Sequence, residues 1–142
     1  MKKLLILSFL FFTIVNCNEN DDAPSDIDCS QVGCTEEFIT IVITIKDDSG
    51  VAVPLDRFEV LDENTNEDIS IPLSDSGFQN ARETGQYPLY NDSFVSENQN
   101  TNRSIIFRGF IDSNEVVEAL YVISTDCCHV SLASGNTEIT IN

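Results

Sequence analysis

Hydrophobic residues in the chain are concentrated in short segments rich in β-branched side chains, and polar segments that favour turns separate them. The clearest segments read Phe-Ile-Thr-Ile-Val-Ile-Thr-Ile at residues 38–45 and Ile-Ile-Phe-Arg-Gly-Phe-Ile at residues 105–111, and residues 116–124 are similarly apolar. Runs of this length and composition are typical of strands with one or both faces buried. These three segments therefore predict three strands.

Shorter apolar stretches predict the remaining strands. No helical period is visible beyond the first residues, and residues 74–84 and 91–103 are assigned only as turn or loop. Seven or eight short strands, with a turn signal about every ten residues, predict an all-β, immunoglobulin-like sandwich over residues 37–142. We expect an edge segment at residues 51–54, strands at residues 57–62, 69–71, 85–90, 128–132 and 137–141, and turns at residues 47–50, 64–66, 112–115 and 134–136.

The first residues follow a different pattern. Lys2 and Lys3 precede an apolar run at residues 4–15, which is too short for a transmembrane helix of about 20 residues. Two positive charges before a run of this length are typical of a secretory signal peptide. Cys17 follows almost directly after the run, where an ordinary signal peptide would carry small residues.

The sequence Thr-Ile-Val-Asn-Cys at residues 13–17 resembles a bacterial lipobox, although Asn16 replaces the usual Gly, Ala or Ser. The resemblance implies that residues 1–16 are removed as a lipoprotein signal peptide. It also implies that Cys17 becomes a lipidated first residue, which anchors the chain to a membrane. The alternative is a plain signal peptide that happens to be followed by a cysteine.

Residues 17–36 are rich in Asn, Asp and Ser and show no apolar period, so they predict an acidic, flexible tether. Within it, Asn-Glu-Asn-Asp-Asp at residues 18–22 resembles the surface-export signal of Bacteroidota lipoproteins. That resemblance implies a location in the cell envelope, at the outer membrane or on the cell surface.

Acidic residues dominate the composition. The chain has 24 Asp and Glu against 7 Lys and Arg, a formal net charge of −17, and the loss of Lys2 and Lys3 with the leader would make it −19. Such a charge repels phosphate backbones and anionic lipid headgroups, which argues against nucleic acid as a partner and against a domain that lies on the bilayer. Solubility outside the cytoplasm explains the charge, and attraction of cations or basic partners is the alternative.

Four further cysteines form an even set in an exported chain. Cys29, Cys34, Cys127 and Cys128 therefore predict two disulfides. A bond between the neighbours Cys127 and Cys128 would close a strained ring, so we expect each of them to pair with Cys29 or Cys34, in either combination. Their spacing with His129 does not match common zinc sites, so no metal is expected, and His129 is expected on the outer face.

Residues 41–54 read Ile-Val-Ile-Thr-Ile-Lys-Asp-Asp-Ser-Gly-Val-Ala-Val-Pro and are followed by Phe-Glu-Val at residues 58–60. This resembles the opening of carboxypeptidase-regulatory-like and transthyretin-like domains, in which a strand ends in Asp-x-x-Gly-x-x-Val-Pro and a second strand pairs back. Leu55 and Asp56 depart from the Gly-Ala of those families. The resemblance implies a transthyretin-like sandwich and says almost nothing about activity. Cys-Cys-His-Val at residues 127–130 resembles small flavobacterial lipoproteins of unknown role.

One polar segment offers oxygen ligands at alternate positions. Asp62, Asn64, Asn66 and Asp68 are a candidate Ca²⁺ site, and a polar hairpin turn is the competing interpretation. The segment departs from the EF-hand pattern, which needs Gly and Glu where the chain has Glu67 and Leu73. Five aromatic residues are expected either to pack in the core or to line a ligand groove. They are Tyr87, Tyr90, Phe94, Phe107 and Phe110.

The sequence contains no Gly-x-Ser-x-Gly motif and no phosphate-binding glycine-rich loop. We therefore expect neither an enzyme nor a cofactor. The favoured function is an envelope-anchored lipoprotein, attached to the membrane by its lipid, whose sandwich holds an envelope protein or a glycan through loops at one end. A Ca²⁺- or metal-binding surface module is the alternative.

Overall fold

A computed structural model describes residues 28–142, which form seven strands, one α-helix and two short 3-10 helices. The strands are β1 (Thr40–Asp47), β2 (Arg57–Asp62), β3 (Gln86–Asn91), β4 (Thr101–Ile111), β5 (Asn114–Thr125), β6 (Val130–Ser134) and β7 (Glu138–Ile141). The α-helix α1 is Asp75–Thr84, and the 3-10 helices are Cys29–Gln31 and Asp92–Glu97.

The seven strands form two sheets that pack face to face. One sheet has the order β3-β1-β7 and the other has the order β2-β4-β5-β6. Neighbouring strands are antiparallel except β1 and β7, which run parallel. The chain changes sheet between β1 and β2, between β2 and β3, between β3 and β4, and again between β6 and β7. The predicted all-β sandwich is therefore confirmed, with seven strands.

The facing sides of the two sheets share one hydrophobic core. Ile43 and Ile45 of β1 are fully buried, as are Ile105 and Phe107 of β4. Alternate residues of a strand point to the same face, which is why the two buried residues of each pair are separated by one that is not buried. Full burial of a large apolar side chain contributes about 1.5–3 kcal/mol, so this core is the main source of stability.

Tyr87 connects the core to the segment that links the two sheets. Its side chain is fully buried, and its hydroxyl accepts a hydrogen bond from the backbone N–H of Leu55 at 2.7 Å and donates one to the carbonyl of Val53 at 3.0 Å. Buried backbone polar groups cost free energy unless they are hydrogen-bonded. The hydroxyl therefore allows the chain to cross from β1 to β2 without unpaired groups at this point.

Helix α1 corrects the assignment of residues 74–84 as turn. Ser74 caps the helix by accepting a hydrogen bond from the backbone N–H of Gly77 at 3.1 Å, and Gly85 ends it in the left-handed conformation with φ of 70°. A Cβ atom on Gly85 would lie 2.4 Å from the carbonyl oxygen of Ile45, so only glycine fits there. The helix was missed because few apolar residues mark its buried side, where Ala81 is the buried residue.

Residues 69–71 do not form the predicted strand. They run beside the free edge of β2, where the N–H of Ile69 donates to the carbonyl of Val60 and the hydroxyl of Ser70 accepts from the N–H of Val60. Mixed backbone and side-chain bonds of this kind cover the edge without extending the sheet. The turn predicted at residues 112–115 is confirmed as a tight hairpin between β4 and β5, with positive φ at Asp112 and Ser113.

Residues 28–39, called the arm below, are attached to the end of the sandwich. Two of its cysteines are bonded to the domain, and the hydroxyl of Thr35 lies 2.9 Å from His129. Residues 28–36 were expected to belong to a flexible tether. In the structure they are part of the folded unit, because covalent and hydrogen bonds hold them against it.

Candidate functional site at the disulfide-linked end

The predicted leader at residues 1–16, the lipidation site Cys17 and residues 18–27 of the tether lie outside the described residues. Within residues 28–142, no helix is both long enough and apolar enough to cross a membrane.

Two disulfides join the arm to the turn before β6. Cys29 is bonded to Cys127 and Cys34 to Cys128, with Cα–Cα distances of 5.2 and 5.3 Å. This matches the prediction that each of the adjacent cysteines would take one partner from the arm. Cys128 was expected at the start of a strand, directly after Cys127, where neighbouring side chains face opposite sides. It lies instead in a bend before Val130, which is why both sulfurs reach the same segment.

The same end of the sandwich holds a chain of three polar side chains. Nδ1 of His129 lies 2.8 Å from Oδ2 of Asp92, and Nε2 of His129 lies 2.9 Å from Oγ1 of Thr35. An ionised carboxylate can only accept, so Nδ1 of the neutral imidazole carries the proton and Nε2 accepts from the hydroxyl. His129 was expected on the outer face. Its side chain is 25% exposed, because the arm and the carboxylate cover it.

Asp92 is the most buried of these three side chains and is held by hydrogen bonds from several segments. Its side chain is 7% exposed, and its two oxygens also accept hydrogen bonds from the backbone N–H groups of Ile39 at 2.8 Å and Val130 at 2.9 Å. It therefore ties the arm, the 3-10 helix Asp92–Glu97 and the start of β6 to one carboxylate. Asp126 fixes the opposite side of the turn by accepting from the backbone N–H groups of Cys128 and His129.

These contacts change the acidity of the groups. Burial by itself disfavours the charged form of Asp92, but the hydrogen bonds from Ile39, His129 and Val130 outweigh it and lower the pKa of the carboxyl. The hydrogen bond to Asp92 raises the pKa of His129, with smaller contributions in the same direction from the charges of Asp92, Asp126 and Glu37 and an opposing one from burial. The imidazole is therefore a stronger base than a free histidine.

Sequence reasoning missed this cluster. Thr35 and Asp92 are far from His129 in the chain, and the segment at residues 91–103 was assigned only as a polar loop. The available signal was Asn91-Asp92-Ser93, in which the side chain of Asn91 caps the 3-10 helix by accepting from the N–H of Ser93 at 3.0 Å. A capped turn of this kind holds the next carboxylate at a defined position.

Asp62, the first of the four candidate Ca²⁺ ligands, makes an ion pair. Its Oδ2 lies 2.6 Å from Nε of Arg103, and its Oδ1 accepts from the backbone N–H groups of Asn64 and Thr65 and from the Thr65 hydroxyl. A cation at this place would have to displace the guanidinium. Oδ1 of Asp68 accepts from the N–H and hydroxyl groups of Ser70. The structure therefore favours the hairpin-turn interpretation for this segment.

Arg103 also connects the two sheets at this point. Its Nη1 donates to the hydroxyl of Tyr90 at 3.3 Å, and Tyr90 is fully buried in the first sheet. The hydrogen bond from Arg103, helped by those from Thr65 and Asn64, lowers the pKa of Asp62 to about 2, against an opposing contribution from burial. The carboxylate is therefore ionised at all ordinary pH values and acts as a structural anion.

The aromatic residues considered for a ligand groove pack in or against the core. Tyr87, Tyr90 and Phe107 are fully buried, and Phe110 is 8% exposed. Phe94 stacks on the ring of Tyr90 with a centroid distance of 4.4 Å. Core packing is therefore the role that the structure supports for these side chains.

The outer face of the four-stranded sheet carries an apolar row beside a charged row. Leu61, Ile106 and Leu120 lie directly opposite one another across β2, β4 and β5, and Leu120 is 53% exposed. In the neighbouring row Arg108 lies between two glutamates of the adjacent strands, and it forms ion pairs with these two and with a third near the β4–β5 hairpin. These are Glu59, Glu115 and Glu118.

Within residues 28–142, no group of three or more His, Cys, Asp or Glu side chains could hold a metal ion. Comparisons with known proteins add no assignment: no family model matches the chain, and searches of the curated proteins and of the solved structures find no match.

Proposed function

We propose that this chain is an exported lipoprotein, anchored in the cell envelope by a lipid on Cys17, whose sandwich binds a protein partner. The observation that carries the proposal is the pair of disulfides, which consume all four cysteines of the described residues and each span most of the domain. Such bonds persist in oxidising compartments and are rare in the cytosol. They support the interpretation of the apolar run before Cys17 as an export signal.

The attachment of the arm fits an anchored domain. In this proposal the chain reaches the membrane through residues 18–27, and a load on the anchor reaches the sandwich at Cys29 and Cys34, which are covalently bonded to it. The net charge of the chain repels anionic headgroups, so the domain stands away from the bilayer and its faces stay accessible.

The outer face of the four-stranded sheet is the surface best suited to a protein partner. Its apolar row ends in the exposed side chain of Leu120, and Glu118 beside it is 60% exposed. An apolar centre with a charged rim is the usual anatomy of a protein–protein interface. The partner in this proposal presents an apolar side chain flanked by basic residues.

Anchoring is tested by replacing the cysteine. In a host that processes lipoproteins, Cys17→Ser should abolish labelling with a radioactive fatty acid and release the protein from the membrane fraction. Asn16→Gly, which installs the usual residue before the cysteine, is the matched control and should keep both. Continued acylation of Cys17→Ser would contradict the anchor.

Partner binding is tested by site-specific photo-crosslinking in the native envelope. A crosslinker at position 120 should give a discrete protein adduct, and one at Thr140, an exposed residue of the other sheet, should not. Adducts from both positions or from neither would contradict a partner on this face.

A further inference from the structure

The geometry points to a latent acyl-transfer site at the disulfide-linked end, in which the Thr35 hydroxyl is the nucleophile, His129 the general base and Asp92 the group that orients the base. Its substrates are small activated acyl esters. The inference goes beyond the proposed binding role and does not depend on it.

The three side chains form the contacts that define an activated hydroxyl nucleophile. The hydroxyl and the base are 2.9 Å apart, the base and the carboxylate 2.8 Å, and both distances are within hydrogen-bond reach. The carboxylate is buried and held by two backbone N–H groups. It fixes the imidazole tautomer that leaves Nε2 free to take the proton of Thr35, which is the arrangement found in hydrolases with a Ser-His-Asp triad.

A disulfide holds the nucleophile and the base together. Cys34 precedes Thr35, Cys128 precedes His129, and the two cysteines are bonded to each other. Pre-organisation of this kind removes the entropy cost of bringing the two groups into contact. A cavity of about 250 Å³ borders this disulfide at Cys128, the residue before His129, and is also lined by Val32, Asn100, Asp126 and Cys127. Its largely apolar lining suits a short acyl chain.

The reaction is a two-step ester hydrolysis. Oγ1 of Thr35 attacks the acyl carbon while its proton passes to Nε2 of His129. The bond to the leaving alcohol breaks, the alcohol takes that proton, and the acyl group remains on Thr35. Water then attacks the acyl-threonine, His129 accepts its proton, and the proton returns to Oγ1 as the carboxylic acid leaves.

The surroundings of the nucleophile limit the rate. Residues 33–38 are irregular and exposed, so the oxyanion forms where water screens it and is stabilised less than it would be in a buried oxyanion hole. The substrates are therefore esters with a good leaving group. Since only the neutral imidazole acts as a base, the rate should fall as the pH drops below the pKa of His129, which Asp92, Asp126 and Glu37 raise above its ordinary value.

The test uses p-nitrophenyl acetate and the purified, oxidised protein. Hydrolysis above the buffer background is expected, together with acetylation of Thr35 detected by peptide mass spectrometry after an acid quench. Thr35→Val should lower the protein-dependent rate about tenfold or more, and Thr35→Ser should retain it. Thr40→Val is the matched control, since Thr40 is an exposed threonine of β1, and it should hydrolyse the ester like the wild type.

Three results would overturn the proposal. The first is an ester hydrolysis rate of Thr35→Val equal to that of the wild type, which would mean that the imidazole acts alone. The second is acetylation of a residue other than Thr35 in the wild type. The third is no hydrolysis by the wild type above the buffer background. If Thr35 only holds the arm against the domain, Thr35→Val should melt at a lower temperature than the wild type. The wild type should then form no acetyl adduct. If Thr35→Val does not fold, the adduct at position 35 in the wild type and in Thr35→Ser decides.

Discussion

The two disulfides overlap along the chain and share almost all of their loops, and this makes a quantitative prediction about their removal. Cys29→Ser with Cys127→Ser deletes one bond, Cys34→Ser with Cys128→Ser deletes the other, and the fourfold variant deletes both. Each bond alone closes a loop across a sequence separation of 98 or 94 residues. Closing a loop of that length restricts the unfolded chain by about 4.7 kcal/mol.

The second bond closes a much smaller ring. Once one disulfide exists, the other adds only the ring through residues 29–34 and 127–128, about eight residues, which is worth about 2.5 kcal/mol in the same chain-entropy treatment. Each double variant should therefore lose about 2.5 kcal/mol of unfolding free energy. The fourfold variant should lose about 7 kcal/mol, which is comparable with the total stability of many domains.

Urea unfolding without reductant, followed by circular dichroism, measures the three losses at pH 7. The two double variants should unfold close together and well above the fourfold variant. Double variants that each lose about half of the fourfold loss would show that the bonds act independently and would refute the shared-loop reasoning. A fourfold variant as stable as either double variant would refute it as well.

Three substitutions test other contacts by the same unfolding assay. Asp62→Asn should cost about 2 kcal/mol at pH 7, because the hydrogen bonds from Arg103, Thr65 and Asn64 together lower the pKa of this carboxyl from 3.8 to about 2. This contribution is present above pH 4 and is lost as the pH falls towards 2, so the difference from wild type should shrink there, and a difference independent of pH would contradict it. Tyr87→Phe should cost about 2–4 kcal/mol by leaving buried backbone groups of residues 53–55 unpaired, and a loss under 1 kcal/mol would mean that water replaces the hydroxyl. Gly85→Ala should cost more than about 1 kcal/mol because its φ is 70° and the added Cβ meets a backbone carbonyl oxygen of β1, and unchanged stability would contradict the strain.

The strands were predictable where the residue composition and the alternation of apolar and polar positions both indicate a strand. Residues 38–45 and 105–111 are rich in β-branched and aromatic residues, and the structure contains β1 and β4 there. Helix α1 was not predicted because Gly77 and several polar residues give it little intrinsic helix propensity, and its ends rather than its interior identify it. Ser74 and Gly85 were the signals, and both act as caps in the structure.

The candidate site was only partly predictable. Sequence logic excluded a bond between Cys127 and Cys128 but could not rank the two remaining combinations. The contact between Thr35, Asp92 and His129 depends on one disulfide and one capped turn. The spacing of residues along the chain does not show that these two features bring the three side chains together. The lipid anchor, the envelope location and the resemblance to transthyretin-like domains remain predictions, as does the expectation of no enzymatic activity, which the acyl-transfer proposal challenges.

The parallel pairing of β1 with β7 has a consequence for when the domain can form. Strand β7 supplies one whole edge of the three-stranded sheet, and the bend at Cys127 supplies the partners of both arm cysteines. A nascent chain that stops before residue 127 lacks β7 beside β1 and lacks the cysteines with which Cys29 and Cys34 pair. Folding of this domain must therefore wait until residues 127–142 have been made, and a chain arrested earlier would present β1 as an open edge to chaperones and proteases.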